Sequence, residues 1–279
     1  MEVSDITKGK VYIGYGDETI KPYIASSRKM QVGYGILLVE QTEITQVENV
    51  LTQLKKDFNF ADKELHASEM FHPKRRIKIY GLKVTETGVF SFTNKIIDAV
   101  KNVSLMLFCT GTIKKGQHKR TQSYMEHVSR NIDKRIPIEF PTFNIKHYSR
   151  FCLQGLIDMI IRYIKWNVKE VILDPETTKI ENIFVNGIGK RHIPSGAFLE
   201  KMFVDDSGIV KEINLKTIKR EDIKLYPLLQ LADLFSYICI QFYTVEPTAN
   251  RRKFIPLYEK LNPKIGLFDS VQMGYKWID

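Results

Sequence analysis

Cysteine is scarce in this chain. Cys109, Cys152 and Cys239 are scattered through 279 residues, each inside an apolar stretch. Three thiols with no CxxC pair and no Cys/His ligand spacing argue against both a disulfide framework and a zinc site. Buried free thiols suit a reducing compartment. A leader is not evident either: Met1 to Lys10 is polar, so no signal peptide is expected and a cytoplasmic location is. Long apolar runs are missing. The greasiest stretch, Leu225 to Val245, is broken by Pro227, Gln230, Asp233 and Gln241, as in a buried helix and unlike a membrane span. No P-loop, GxSxG, HExxH or Rossmann fingerprint occurs. Gly187-Ile188-Gly189-Lys190 is glycine-rich but lacks the spacing of a phosphate cradle, which sets a small-molecule phosphohydrolase aside. Repeats, low-complexity runs and Pro/Ser-rich linkers are also absent, so residues 1–279 read as a single domain.

Charge and apolar content are plentiful. Hydrophobic residues make up 43% and aromatics 11%, enough for a substantial core. Lys and Arg number 42 against 32 Asp and Glu, a formal charge of +10 that favours a polyanionic partner such as nucleic acid. The basic residues cluster at Lys74, Arg75, Arg76 and Lys78, at Lys114, Lys115, Lys119 and Arg120, and at Arg251, Arg252 and Lys253. Each cluster is a phosphate-contacting surface or a solvated loop.

Apolar periodicity predicts a mixed α/β chain. Val11 to Tyr15 reads as a short strand entering a turn at Gly14 and Gly16, followed by a strand over Gln31 to Glu40. Helical spacing over Glu43 to Phe58 follows Thr42, a plausible N-cap. Further helices are expected over Phe90 to Asn102, Arg120 to Arg135, Tyr148 to Trp166 and Leu225 to Tyr243. Ser104 to Ile113 and Glu170 to Asp174 read as interior strands, the latter stopped by Pro175. Residues 180–224 read as loops with one or two edge strands, and the tail from Phe254 as irregular or as small added elements. Long helix leading into buried strand argues for an α/β layer architecture.

Acidic residues inside apolar segments carry the chemistry. Asp233 lies in Leu228-Leu229-Gln230-Leu231-Ala232-Asp233-Leu234-Phe235, where a buried carboxylate needs a partner. That partner is a bound cation, a lysine or a helix N-terminus; the segment alone admits each. Asp174 closes the aliphatic strand Val171-Ile172-Leu173 just before Pro175. It marks the carboxyl end of a central strand, where α/β sites gather, or it starts an Asp-Pro turn. In Glu64-Leu65-His66-Ala67-Ser68-Glu69-Met70, Glu64 shares one face with His66 if the segment is extended, or with Ser68 if it is helical. His66 orients a ligand or shuttles a proton near neutral pH, or simply bonds its own loop.

The run Gln230-Leu231-Ala232-Asp233-Leu234 resembles the QLADL motif of the family called domain of unknown function 3800. That family also carries E-[IL]-H-[GA]-S-E-[LM], similar to Glu64 through Met70, and an Asp after an intervening aliphatic strand, similar to Asp174. Order and separation fit over roughly Lys10 to Tyr243. The resemblance implies an RNase H-like α/β fold, a central mixed sheet flanked by helices, with an insertion at about 180–224 and a C-terminal extension at about 246–279. It also implies a metal-dependent nuclease in which Glu64, Asp174 and Asp233 hold Mg2+ or Mn2+. Two hard cations of this kind require carboxylates converging from different elements. The family's first strand reads Y-[IV]-D-E-S-G, and aligning Tyr12-Ile13 with it puts Gly14 where the central Asp is expected. Asp17 or Glu18 then has to swing back into the site, helped by Gly16. The alternative is a catalytically degenerate relative that binds nucleic acid or protein.

Overall fold

Two glycines expected to turn the chain instead continue a strand. β1 (Tyr12–Pro22) runs straight through Gly14 and Gly16, which corrects the predicted Gly-rich turn. The reason lies in the neighbouring strand. A Cβ on Gly14 would stand 2.9 Å from Val171 Cγ2, and one on Gly16 would stand 2.9 Å from Leu173 Cδ2. Here glycine makes room for side chains that cross from the next strand.

The computed structural model describes residues 10–22, 30–60, 63–113, 156, 168–174, 214–242, 252–265, 267–268, 271–272 and 275–278. After β1 come β2 (Met30–Glu40), α1 (Ile44–Asp57), α2 (Ala67–Met70), α3 (Pro73–Tyr80), α4 (Glu86–Val100) and β3 (Leu105–Ile113). There follow β4 (Val168–Leu173), β5 (Asn214–Thr217), α5 (Leu228–Phe242) and α6 (Ile255–Leu261). β6 (Leu267–Phe268) and β7 (Val271–Gln272) form a small ribbon, and β8 (Tyr275–Ile278) returns to the main sheet.

The main sheet has the order β5-β4-β1-β2-β3-β8. β1, β2 and β3 pair antiparallel, whereas β4 runs parallel to β1, β5 to β4 and β8 to β3. An antiparallel meander is extended from its first strand by two parallel strands, and α/β with a mixed central sheet is the fold observed. β4 is interior, as its continuous apolar run requires. β5 is an edge strand within the expected insertion, and the tail supplies a full strand to the main sheet.

Pleat alternation divides the strand side chains between two buried faces. Ile13, Tyr15, Leu37, Val39, Leu107, Cys109 and Ile172 share one core with α1, α4, α5 and α6. Tyr12, Tyr34, Ile36, Leu38, Phe108, Val171 and Leu173 are buried on the other face. Leu156 is helical and fully buried; the rest of the helix expected over Tyr148 to Trp166 lies outside the described residues, as does that over Arg120 to Arg135. Cys109 and Cys239 are buried free thiols.

Two helix starts differ from expectation. A 3-10 turn at Gln41–Glu43 precedes α1, so Thr42 does not cap it, and its hydroxyl donates to Glu40 Oε1 at 3.0 Å. α4 begins at Glu86, ahead of the predicted Phe90, because Thr85 Oγ1 accepts from Gly88 N–H at 3.0 Å and caps that turn.

α5 is buried over nearly its whole length and lies across β1, β2 and β3. Leu228, Leu231, Leu234 and Phe235 are fully buried, each contributing roughly 1.5–3 kcal/mol over an exposed state. Together they outweigh the penalty of about 1–3 kcal/mol for carrying one poorly satisfied polar group inside. That surplus lets α5 deliver Asp233 to the interior. Pro227 stands just before the helix, where a missing N–H does no harm. Among the described residues no helix is long and apolar enough to cross a membrane.

Candidate functional site

The parallel pairing of β1 and β4 brings the first two carboxylates together. Gly16 pairs with Leu173, and Asp174 N–H donates to the Gly16 carbonyl at 3.1 Å. One residue further, β4 has ended while β1 continues, so Asp17 and Asp174 stand side by side at the carboxyl end of β4. Asp17 follows Ile13 and Tyr15 on the α5 face of the sheet; Gly14 and Gly16 belong to the opposite face. Gly14, which the motif resemblance aligns with a central Asp, lies on the face away from Asp17. Asp17 stands within β1, so the expected swing of the chain beyond Gly16 does not occur.

Asp233 enters from α5. Asp17 pairs across the sheet with Gly35, and a Cβ on Gly35 would fall 1.6 Å from Ser236 Oγ and 2.7 Å from Ser236 Cβ. The helix thus touches the sheet beside Asp17, and Asp233 lies three residues, just under one turn, before Ser236. Asp233 is 9% exposed, and its Oδ2 accepts from Ala67 N–H at 2.7 Å. Gln230, three residues earlier on the same face, accepts from Leu65 N–H at 3.0 Å and from Lys55 Nζ at 3.2 Å. Two side chains of α5 therefore hold alternate N–H groups of the extended segment leading into α2, so the two short motifs are one physical unit.

That segment carries the remaining candidates. Glu64 is half-buried, and its Oε1 lies 3.2 Å from His66 Nε2. The Tyr80 hydroxyl donates to the Glu64 carbonyl and accepts from His66 N–H, both at 3.0 Å. Tyr80 was not legible as part of the site, because it acts only through backbone atoms. Glu69 belongs to the motif without an expected role, yet its charge is felt at Asp233, His66 and Tyr80.

Electrostatics tie the group together. Asp17 is held well above the ordinary carboxylate range, first by desolvation and then by the charges of Asp233 and Asp174. Desolvation likewise lifts Asp233 to about 6, against the Ala67 N–H and His66, with Asp174 and Glu69 pushing the same way as burial. His66 is raised to about 9, chiefly by its hydrogen bond to Glu64 and, after a loss to burial, by Glu64, Asp233 and Glu69. The structure thus brings Asp17, Asp174 and Asp233 into mutual range, and links Glu64 and His66 to them through His66.

Among the described residues, no three His, Cys, Asp or Glu side chains are arranged to hold a metal ion as they stand. Asp233 is turned to Ala67, Glu64 to His66, and Asp17 Oδ1 accepts from Glu18 N–H at 2.7 Å. The donor chemistry nevertheless fits a hard divalent cation: three carboxylates without a soft ligand among them, whose mutual repulsion a cation relieves.

No family model and no curated protein sequence matches this chain. Among solved structures it is similar to the crystal structure of the ribonuclease H2 from Pyrococcus horikoshii OT3, at 10% identity, over 94% of this chain and 92% of that one, with a TM-score of 0.36.

Proposed function

We propose that this chain is a divalent-metal-dependent nuclease of RNase H-like type that hydrolyses a nucleic-acid phosphodiester. The observation that supports this reading is that Asp17, Asp174 and Asp233, from the first strand, the end of its parallel neighbour and a late helix, lie within electrostatic range of one another. The motif resemblance to domain of unknown function 3800 supports it and adds Glu64. These four carboxylates would hold Mg2+ or Mn2+. Such cations, when bound, supply an activated water and stabilise the leaving oxygen of the phosphodiester. The chain's own residues orient the site: the Ala67 N–H fixes one oxygen of Asp233, and Glu64 keeps a proton on the His66 imidazole.

A second reading, a catalytically silent RNase H-like subunit that binds nucleic acid or protein, is favoured by one observation. No three side chains among the described residues stand in a metal-holding arrangement. Gly14 does not weigh for it, because a side chain there would meet Val171 and Leu38 on the opposite face of the sheet.

The deciding experiment is a calorimetric titration of Mn2+ and Mg2+ into the wild type, Asp174→Asn and Asp233→Asn, followed by cleavage assays on DNA and RNA. Binding and metal-stimulated cleavage in the wild type, lost in both folded variants, are expected. Cleavage retained in both variants would sink the site assignment. A wild type that binds neither metal would favour the silent subunit.

A further inference from the structure

The helix that follows the carboxylate-bearing loop carries cations that the fold does not use. Lys74, Arg75 and Lys78 of α3 are exposed, while Arg76 turns inward, 6% exposed, and donates to the Met70 carbonyl at 3.1 Å. The chain has no acidic residue between Glu69 and Glu86, and exposed Lys83 extends the basic stretch. Among the described residues Lys74, Arg75, Lys78 and Lys83 enter no ion pair. By contrast, Lys10, Lys253 and Lys260 each sit on a carboxylate, at 2.6, 2.6 and 2.9 Å.

These cations are held at a fixed offset from the site. The Tyr80 hydroxyl bonds the backbone of both Glu64 and His66, Arg76 ties α3 back to Met70, and His72 Nδ1 accepts from Arg75 N–H at 3.4 Å at the start of the helix. Along the helix axis Lys78 lies roughly 3 Å and Lys74 roughly 9 Å from Tyr80, at about 1.5 Å per residue. A nucleic-acid strand in a duplex places a phosphate about every 3.4 Å of axis, so the patch matches two or three consecutive phosphates. Ile77, 48% exposed, and Leu82, 80% exposed, lie among the cations and offer apolar contact to the sugars between them.

We infer that the exposed face of α3 is the track on which the phosphate backbone of a DNA or RNA strand approaches the carboxylate site. The inference rests on the nuclease reading for the direction of approach. The binding itself does not depend on it.

The test is fluorescence anisotropy with labelled single-stranded DNA, duplex DNA and RNA, on wild type and on Lys74→Gln/Arg75→Gln/Lys78→Gln, over a salt series. Mn2+ calorimetry on the same samples reads the carboxylates separately, and a thermal melt checks folding. The triple variant is expected to lose about tenfold or more in affinity. Its salt slope should fall by about 2–3, near 0.7–0.9 per lost phosphate contact, with Mn2+ binding unchanged. A triple variant that binds every oligonucleotide like the wild type overturns the track, whatever the metal does. So does a wild type that binds no oligonucleotide, or one that binds only anionic phosphatidylserine vesicles through these residues. If the wild type binds no metal but the triple variant still loses oligonucleotide affinity, the nuclease reading falls and the track stands.

Discussion

The carboxylate of Asp233 accepts a hydrogen bond from the backbone N–H of Ala67 across 166 positions of sequence. Gln230 makes the matching bond to Leu65, so the helix and the loop segment are joined at two alternate residues. The loop that presents Glu64 and His66 is therefore held from α5 as well as by Tyr80 of α3.

Removing one of these acceptors exposes that dependence. Gln230→Ala leaves the buried Leu65 N–H without its acceptor and removes one hydrogen bond from Lys55. An unsatisfied buried donor costs about 1–3 kcal/mol, and urea unfolding of the variant is expected to show a loss of that size. Metal affinity should fall with it, because the segment that carries Glu64 loses one of its anchors. An unchanged midpoint would show that α2 and α3 position the segment by themselves.

Gly14→Asp is expected to damage the protein. The new carboxylate would be driven against Val171 and Leu38 on the face away from Asp174 and Asp233. A carboxylate buried there without a partner is destabilising by several kcal/mol. Thermal melting should drop sharply, with no gain in Mn2+ binding. A gain would show that the face assignment of β1 is wrong.

The wild type without metal is expected to lose stability as pH rises. Asp233 has its folded value raised from 3.8 to about 6, so its contribution is present below 3.8 and is lost as pH climbs through about 6. His66 is raised from 6.5 to about 9, so its contribution is present below 6.5 and is lost as pH climbs through about 9. The wild-type melting temperature minus that of Asp233→Asn should therefore fall between pH 3.8 and 6. Saturating Mn2+ should reverse that fall by favouring the ionised carboxylate. A difference that rises over this window would contradict the burial of Asp233.

Much of this was legible in the sequence, for identifiable reasons. Val171-Ile172-Leu173 and the body of α5 are apolar runs too long to be anything but interior, so Asp174 and Asp233 stood out against them. The register of β1 was not legible. Gly14 and Gly16 carry the usual mark of a turn, and only the side chains of Val171 and Leu173, far along the chain, show that they are packing residues. The turn reading puts Asp17 beyond a bend, whereas β1 runs straight through it. The Gln230–Leu65 bond is equally non-local, joining residues 165 positions apart.

The close approach at Gly35 offers another check. Gly35→Ala brings a methyl group to 2.7 Å from Ser236 Cβ, which a rotamer change cannot relieve, so α5 has to shift. Overpacking of this kind costs typically 1–3 kcal/mol. Adding Ser236→Gly should recover part of that loss, despite a helix penalty of about 1 kcal/mol for glycine. A double variant less stable than Gly35→Ala alone would rule out steric contact as the cause.

The spacing between the two sides of the site is consequently set by missing atoms. No bond spans from Gly35 to α5; bare backbone acts as the spacer, and α5 settles as near to β2 as Ser236 allows. A side chain can adapt to a changed partner by turning about its own bonds, but a spacer made of backbone has no such adjustment. Any residue larger than glycine at position 35 would therefore part Asp233 from Asp17 while the apolar layers beneath remained joined, giving a protein that still folds but whose carboxylates no longer meet.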